Sequence, residues 1–353
     1  MMNKTNSWTT RTSCWLFLLV ASLSATTHAA SSQAGHGQFI GAMTTIYPDW
    51  FKESFLEFRE DIEEAAADGK RVMVIFHQDG CPYCNALVEK NFAQKDIVEL
   101  TREKFDVIGI NMWGDKDVVS INGHQFTEKE FAAALRVQFT PTILFFNEQA
   151  QTALRLNGYL PPREFKLALE YVAGQRETVE PYRQYMARVG KPKSAVTSMD
   201  QHAYLSRDTS SLHPRSSGKP IAVLFEQKDC PNCVTLHDRV LAHKESQNLL
   251  ARFDAYQLDM WSETSLTLPD GRTMSARAWA DELGVVYAPS LILFDPAGKE
   301  VIRSDAYFKQ FHVQGLLDYV SSGDFAVEPS FQRYLSARDA ALQAQGIDVN
   351  IWE

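Results

Sequence analysis

The sequence is poor in cysteine, has no excess of basic residues and lacks an apolar run long enough to span a membrane comfortably. Only five of its 353 residues are cysteine, and the formal net charge is −9. This acidic balance argues against nucleic-acid binding, which usually needs a basic face. A Gly-rich phosphate loop, a Ser-His-Asp order and histidines at metal-ligand spacing are also missing. What the sequence does contain is a repeated pair of cysteines, CPYC at 81–84 and CPNC at 230–233.

The first 30 residues have the pattern of a secretory signal peptide. Lys4 and Arg11 supply positive charge, residues 14–23 form a short apolar run, and Thr27 and Ala29 suit a cleavage site. The run is shorter than the usual transmembrane length, which favours a cleaved signal over its alternative, a retained membrane anchor. We therefore predict a signal peptide over residues 1–30, a periplasmic location and no stable membrane insertion after cleavage.

The cysteines that remain after removal of the signal form two tight pairs. Cys14 lies in the predicted signal, so the exported chain keeps Cys81, Cys84, Cys230 and Cys233. Disulfides form and persist in exported proteins. The spacing, however, is that of two local CxxC pairs and not of disulfides that link distant segments of the chain.

The sequence surrounding the first pair occurs twice. VMVIFHQDGCPYC at 72–84 matches IAVLFEQKDCPNC at 221–233, and RVQFTPTILFFNEQAQ at 136–151 matches GVVYAPSLILFDPAGK at 284–299. The offset hardly changes along the chain, since 230 − 81 is 149 and 289 − 141 is 148. Such a constant register indicates two copies of one domain.

The repeat predicts two domains, residues 40–190 and residues 195–345, with a join near 190–219 that is rich in Ser, Pro, Lys and Gly. A chain of 353 residues is long enough for each copy to bury its own core. The first copy opens with helical periodicity over residues 51–68. We expect part of the join to form the corresponding first helix of the second copy.

The pattern within one copy predicts an α/β fold. VMVIF is a short apolar strand, and the cysteines follow it where a helix begins. Asn122-Gly123 predicts a hairpin, Thr127 with Glu130 a capping box, and Pro161-Pro162 the start of the last helix. The predicted order is α-β-α-α-β-hairpin-α-β-β-α, which implies a mixed central sheet flanked by helices in each copy.

The position of each CxxC pair at a helix start predicts redox chemistry. The unpaired N–H groups and the dipole of the helix stabilise a thiolate on the first sulfur, so Cys81 and Cys230 are the candidate nucleophiles. Cys84 and Cys233, one turn further along, are placed to attack a mixed disulfide and release the partner. These four cysteines are the candidate catalytic residues.

Three sequence features, each present in both copies, together resemble the thioredoxin superfamily. The resemblance covers nearly all of the chain beyond the signal. The features are the strand followed by CPxC, the helix after it, and a Thr-Pro or Ala-Pro step that opens the next strand. The resemblance implies cis peptide bonds at Pro141 and Pro289, with Thr140 and Ala288 beside them as substrate-binding residues. A narrower resemblance, to the SoxW-like, thioredoxin-related periplasmic proteins, rests on the sequence FTPTILFF and on GYLPPREFKLALEYV after it.

The sequence departs from that superfamily at the position of its usual buried Asp, six residues before the first cysteine. Ile75 and Leu224 occupy this position in the two copies, so the internal proton acceptor is missing. His77 and Glu226, four residues before each first cysteine, are the nearest ionisable substitutes. A proton-relay role for them is a hypothesis, and a structural role is its alternative.

We predict a periplasmic thiol–disulfide oxidoreductase that acts as a reductase of protein disulfides and needs no cofactor. Its expected partners are protein disulfide or thiol substrates and, by resemblance, a membrane thiol carrier that supplies electrons. A disulfide oxidase or isomerase is the alternative within the class, and a copper or thiol-metal chaperone is the alternative outside it. Structural disulfides are disfavoured because a CxxC bridge closes almost no loop. The two dipeptides, Pro-Tyr and Pro-Asn, predict unequal redox potentials, with a transfer of electrons between the copies as one option.

Overall fold

The computed structural model describes residues 36–189, 199–213, 217–306 and 308–352. The chain from His36 onwards forms one compact unit. The predicted signal peptide over residues 1–30 lies outside the described residues. No helix in the described ranges is long and apolar enough to cross a membrane.

The elements of the first copy alternate as the sequence predicts. Its strands, with one short strand before them, are β1 (Phe39–Ile40), β2 (Arg71–His77), β3 (Phe105–Asn111), β4 (Asp117–Val119), β5 (Gln125–Thr127), β6 (Thr142–Phe146) and β7 (Thr152–Asn157). Its helices are α1 (Phe58–Ala67), α2 (Pro82–Ala86), α3 (Lys95–Lys104), α4 (Glu128–Ala134), α5 (Pro162–Ala173) and α6 (Tyr182–Val189). A π-helical turn, Leu87–Asn91, extends α2, and a 3₁₀ turn, Arg176–Thr178, precedes α6.

The second copy repeats this order except for its first helix. Its strands are β8 (Ile221–Glu226), β9 (Asp254–Asp259), β10 (Ser265–Thr267), β11 (Thr273–Ser275), β12 (Ser290–Phe294) and β13 (Glu300–Ser304), followed by the short β14 (Val349–Asn350). Its helices are α7 (Pro231–Leu236), α8 (Lys244–Leu250), α9 (Ala276–Glu282), α10 (Gln310–Ser321) and α11 (Phe331–Ala344). A π-helical turn, His237–Leu241, extends α7, and a 3₁₀ turn, Asp324–Ala326, precedes α11.

Each copy contains a mixed four-stranded sheet. The strand order is β3-β2-β6-β7 in the first copy and β9-β8-β12-β13 in the second. The central strand pairs parallel with β3 or β9 and antiparallel with β6 or β12. The predicted hairpin, β4–β5, and the capping box of Thr127 and Glu130 are both present. The predicted fold class, two α/β domains with helices flanking a mixed sheet, is therefore confirmed.

Both faces of the strand before the first cysteine pair are buried. In β2, Met73 and Ile75 pack into one core cluster, while Val74 and Phe76 pack into another on the opposite face. Side chains of α5 complete the first cluster and those of α1 complete the second. A strand covered on both faces is apolar throughout, which explains why VMVIF shows no alternation.

Two expectations about first helices need correction. Helix α1 begins at Phe58 and not near residue 51, because Leu56 has a positive φ of 61° and Glu57 forms an isolated bridge with Val119. In the second copy, the described part of the join, residues 199–213 and 217–219, contains no helix, so these residues do not form the expected one; the rest of the join lies outside the described residues. Ser, Thr and Asp are frequent in this segment and favour turns over helix interiors.

The two copies meet around a pseudo-twofold axis. The side chain of Asn157, at the end of β7, donates to Asp305, the residue 148 positions later, at 3.4 Å. Gly158 also lies against its own counterpart, since a Cβ added to it would lie 2.6 Å from that of Ala306. Contacts between equivalent residues are the mark of an isologous interface, as in a twofold-symmetric dimer. One core cluster contains residues of both copies and so continues across this interface.

Asp305 makes this interface sensitive to pH. Burial raises the pKa of its carboxyl, an effect that the Arg303 charge opposes. A group whose pKa is higher in the folded than in the unfolded protein contributes stability at low pH and loses it as pH rises through the folded pKa. We expect Asp305→Asn to raise the free energy of unfolding at pH 8 by on the order of 1 kcal/mol. Denaturant unfolding between pH 4 and 8 measures the free energy of unfolding at each pH. The variant Asn157→Asp places a second carboxylate opposite Asp305, and we expect it to destabilise the protein. An equal effect of Asp305→Asn at both ends of the pH range contradicts the prediction.

Candidate active sites

The first cysteine pair lies where β2 ends and α2 begins. Gly80 takes a positive φ of 73°, and Cys81 caps the helix, with its Sγ accepting a hydrogen bond from the backbone N–H of Cys84 at 3.0 Å. The two cysteines are joined as a disulfide with their Cα atoms 5.3 Å apart. Cys81 is 3 % exposed and Cys84 is fully buried. The first sulfur is therefore the one that a partner can reach.

The second pair repeats this geometry between β8 and α7. Asp229 takes the positive-φ position, and Cys230 caps the helix and accepts from the backbone N–H of Cys233 at 3.1 Å. The pair is also a disulfide, with a Cα–Cα distance of 5.2 Å, and Cys230 is 8 % exposed. The predicted placement of both pairs at a strand-to-helix turn is thus observed in each copy.

Each pair lies against the proline step that the sequence singles out. The Thr140–Pro141 and Ala288–Pro289 peptide bonds are both cis, as the resemblance implies. The Sγ of Cys81 lies 3.5 Å from the carbonyl oxygen of Thr140, and that of the second copy's first cysteine lies 3.6 Å from the carbonyl oxygen of Ala288. The fold therefore brings all the predicted site residues of each copy together.

The two sites differ in one hydrogen bond to the sulfur of the first cysteine. The Thr140 hydroxyl donates to Cys81 Sγ at 3.3 Å, whereas Ala288 has no hydroxyl to offer Cys230. We expect Thr140→Ala to reduce the thiolate fraction of Cys81, slowing alkylation of the reduced pair at pH 6 by roughly tenfold or more, the value of one hydrogen bond to a charged group.

Ala288→Thr is the matched variant, and we expect it to speed alkylation of Cys230. The rates follow from quenched-flow reaction with iodoacetamide, using chains in which the opposite pair is replaced by serine. If both variants change the rates in the same direction, the hydroxyl does not control the thiolate.

The second site contains a buried polar network that sequence reasoning did not find. The carboxylate of Glu226 lies 2.7 Å from His237 Nε2 and accepts from the side chain of Gln257 at 2.7 Å. His237 Nδ1 lies 2.7 Å from the Tyr204 hydroxyl, and the ring of His202 stacks on that of His237 with centroids 3.5 Å apart. Because a carboxylate only accepts, a neutral His237 carries its proton on Nε2 and accepts from Tyr204.

This network lines the same cavity as the second cysteine pair. The cavity has a volume of about 350 Å³, and Cys230, Cys233, Glu226 and His237 all border it. A cavity of this size with several polar groups has room for water. It therefore provides a path along which a proton can move between the sulfurs and the Glu226–His237 pair.

The first copy has no equivalent network. The residues 149 positions before Glu226 and His237 are His77 and Val88, and a valine cannot continue a hydrogen-bonded chain. The His77 ring packs on Tyr47 with centroids 4.6 Å apart, and burial lowers the pKa of this histidine. Of the two candidate relay residues, Glu226 is therefore the one that hydrogen-bonds to an ionisable side chain beside the cysteines, whereas only the charges of Asp79 and Lys116 act on His77 in the described residues. Among the described residues, no group of three or more His, Cys, Asp and Glu is placed to hold a metal.

A CxxC disulfide at a helix N-terminus, beside a cis-proline, on an α/β domain defines the protein as a thiol–disulfide oxidoreductase. The sequence model of the thioredoxin-like domain family matches residues 58–173 and 213–321, which together are more than half of the chain. The protein therefore belongs to the thioredoxin-like domain family, with one domain in each matched region. The limits 40–190 and 195–345, which enclose these regions, stay predictions.

Similar solved structures are thioredoxin folds that align with about two-fifths of the chain or less. A thioredoxin-fold protein from Helicobacter pylori is 18 % identical, with 40 % of this chain and 93 % of that chain covered and a TM-score of 0.36. For a Thermus thermophilus thioredoxin these values are 24 %, 39 %, 87 % and 0.28. For the C-terminal domain of Neisseria meningitidis DsbD in its oxidised form they are 13 %, 33 %, 91 % and 0.25. The likeness concerns the fold alone, and no curated protein gives a significant match.

Proposed function

We propose that the protein is a periplasmic reductase of protein disulfides with two active sites. The observation that carries this proposal is the environment of Cys81 and Cys230. Each sulfur caps a helix N-terminus and accepts a backbone N–H, at 3.0 Å and 3.1 Å. When the pair is reduced, these contacts stabilise a thiolate, the form of cysteine that attacks disulfides.

In the first copy, the Cys81 thiolate attacks one sulfur of a substrate disulfide. A mixed disulfide forms and the other substrate sulfur leaves as a thiolate. Cys84 then gives up its proton and attacks Cys81 Sγ, so that the Cys81–Cys84 disulfide forms and the second substrate sulfur leaves. Two electrons have passed to the substrate, whose chain Thr140 and Pro141 hold beside the sulfur. A membrane thiol carrier restores the dithiol by the reverse exchange.

The second copy acts by the same steps, with Cys230 as nucleophile and Cys233 as the resolving cysteine. Ala288 and Pro289 hold the substrate chain. The two sites work in parallel, because each first cysteine lines a cavity bordered by helices of the other copy and not by the other CxxC pair. The periplasmic location rests on the signal pattern of residues 1–30, and the narrower kinship with SoxW-like proteins rests on sequence resemblance.

Glu226 takes the proton of Cys233 in the resolving step of the second copy. Its carboxylate shares a cavity with both sulfurs and is hydrogen-bonded to His237, which can pass the proton on. We expect Glu226→Gln, which keeps the shape and loses the acceptor, to slow resolution by about 10- to 100-fold at pH 7 and to change its pH profile. Stopped-flow single turnovers of a chain with the first pair replaced by serine measure this rate.

His77→Gln, in a chain with the second pair replaced by serine, is the matched control. We expect it to leave the resolving rate of the first copy within twofold at every pH, because His77 makes no hydrogen bond to an ionisable side chain in the described residues. A residue that transfers the proton would change the rate far more. Unaltered pH dependence in Glu226→Gln excludes the carboxylate as acceptor.

The direction of electron flow is tested by the reduction potential of each site, measured in the full chain with the other pair replaced by serine. Equilibration in glutathione and dithiothreitol buffers should give values near roughly −270 mV, the potential of a reductase. Values of roughly −120 to −180 mV indicate the oxidase or isomerase instead. Stoichiometric copper binding without disulfide turnover indicates the thiol-metal chaperone.

A further inference from the structure

Each CxxC site is completed by residues of the opposite copy. The cavity at Cys81 is lined by His312 and Gln332 of the second copy, and the cavity at Cys230 by Glu164 and Arg183 of the first. The covering residues are themselves equivalents in the repeat, since 312 − 164 is 148 and 332 − 183 is 149. The arrangement therefore occurs twice, once in each direction across the pseudo-twofold axis.

Specific contacts hold the residues of the second copy that line the Cys81 cavity, here called the cover, over the first site. The Tyr83 hydroxyl, between the two cysteines in sequence, accepts from the backbone N–H of Lys309 at 2.9 Å and lies 3.4 Å from His312 Nδ1. Burial lowers the pKa of His312 to about 4, so at neutral pH this nitrogen can accept from the hydroxyl. The ring of Trp352 packs edge-on against that of Tyr83, with centroids 5.3 Å apart.

The same cover reaches the loop of the cis-proline. Gln332 donates to the carbonyl oxygen of Gln138 at 2.9 Å and accepts from the side chain of Gln78 at 2.9 Å. Gln138 lies two residues before Thr140, and Gln78 lies three residues before Cys81. The surfaces on both sides of the attacking sulfur are therefore already in contact with the second copy.

Arg183 holds the corresponding cover over the second site. It is 4 % exposed and donates to the carbonyl oxygens of Met260 and Arg277 and to the carboxylate of Asp281. Its guanidinium also stacks on Trp261, 4.5 Å from the ring centre. These contacts join α6 of the first copy to α9 and to the residue after β9 of the second copy, beside Cys230.

The two sulfurs differ in how much space the opposite copy leaves around them. The cavity at Cys81 has a volume of about 250 Å³, near the lower end of the range of about 300–1,000 Å³ for small-molecule sites, and Pro82 and Tyr83 beside this sulfur are buried. Cys230 borders a cavity of about 320 Å³ beneath the first copy, but also the cavity of about 350 Å³ that residues of the second copy alone line, and Pro231 beside it is exposed. A folded surface therefore has less room to approach Cys81 than Cys230.

We propose that the first site selects disulfides carried on unfolded, extended chains and excludes disulfides set in a folded surface. An extended segment can bring one half-cystine into the cavity without displacing the cover. This inference rests on the proposed reductase function and names its substrate class. Cystine is a small disulfide that can enter the cavity as a single half-cystine of an extended chain does. It therefore serves as the reference substrate, one that the site should accept with the cover in place.

The experiment compares two substrates by stopped flow, using the reduced full-length chain in which Cys230 and Cys233 are replaced by serine. One is a protein with a single exposed disulfide, and the other is its permanently unfolded variant with the same disulfide. We expect exchange with the unfolded form to be faster by about tenfold or more, because the attacking and attacked sulfurs must approach to about 3–3.5 Å. Equal rates for the two forms overturn the proposal, while a potential in the oxidase range changes only the proposed direction.

Two filling variants test whether the opposite copy forms the entrance. Ser336 of α11 lines the cavity at Cys81, and Ala187 of α6, 149 positions earlier, lines the cavity at Cys230. We expect Ser336→Trp to slow exchange with cystine at the first site by about tenfold and to leave the second within twofold, and Ala187→Trp to leave the first within twofold.

Ala187→Trp is therefore the folding control for Ser336→Trp, and Ser336→Leu is a milder second choice. Sites are assigned by alkylating the single remaining pair in chains where the other pair is serine. If Ser336→Trp slows the second site, or slows neither site, the cover does not form the entrance to the first site.

Discussion

The chain with both Cys81→Ser and Cys230→Ser is expected to lose disulfide reduction by at least about 1,000-fold, since no thiolate remains to begin exchange. Each single variant should keep the activity of the other site, because the two pairs are separate disulfides in separate domains. Reduction of an unfolded disulfide substrate, followed by thiol titration, measures the loss. If one single variant removes all turnover, the sites act in series, and electrons pass between the copies.

The resolving cysteines provide the matched control for this prediction. Cys84→Ser and Cys233→Ser leave the first sulfur at its helix N-terminus but remove the thiol that attacks it. We expect each to accumulate a mixed disulfide with the substrate, visible as a mass adduct that dithiothreitol removes. Cys84 is fully buried, so serine there should also change access to the site little. Adducts on the second cysteines instead of the first would reverse the assigned roles.

Arg183→Ala is expected to lower the free energy of unfolding by roughly 2–4 kcal/mol. The side chain is buried at the interface between the copies, where it donates to Asp281 and to two backbone carbonyl oxygens. Removing it leaves these acceptors unpaired and opens space beside Trp261. Urea unfolding measures the loss, and tryptophan fluorescence should report the exposure of the indole.

Gln332→Ala, at the equivalent position of α11, is the matched control for Arg183→Ala. Gln332 is neutral and makes hydrogen bonds to Gln78 and Gln138. We expect its loss to cost only about 1 kcal/mol, the value of neutral hydrogen bonds. A larger effect of Gln332→Ala than of Arg183→Ala contradicts the view that the arginine anchors the interface.

Local sequence was sufficient to predict each CxxC site. The strand, the helix start at Cys81, the hairpin and the capping box of Thr127 depend on residues within a few positions of one another. The cis bonds at Pro141 and Pro289 followed from resemblance, because no local pattern decides a peptide isomer. The first helix expected in the second copy is not found in the described part of the join, whose sequence does not repeat that of residues 51–68.

The Glu226 network escaped sequence reasoning because its members are far apart in the chain. Glu226 lies 11 residues from His237 and 31 from Gln257. Neither residue stands out in a motif, and the fold joins them only when β9 pairs with β8 and the helix after Cys230 packs on the sheet. The repeat offers one partial signal of this network. At the offset of 149 residues, Val88 of the first copy corresponds to His237 of the second, so only the second copy has an ionisable residue at this position.

The sequence alone determined that the protein has two redox-active cysteine pairs on two copies of one α/β domain, because strand, turn and helix preferences act over short distances and repeat in register. Tertiary structure alone decided that each pair borders residues of the other copy. Tyr83 meets Lys309 across 226 residues and Arg183 meets Asp281 across 98. Such contacts depend on how two folded surfaces complement each other, which no local pattern encodes.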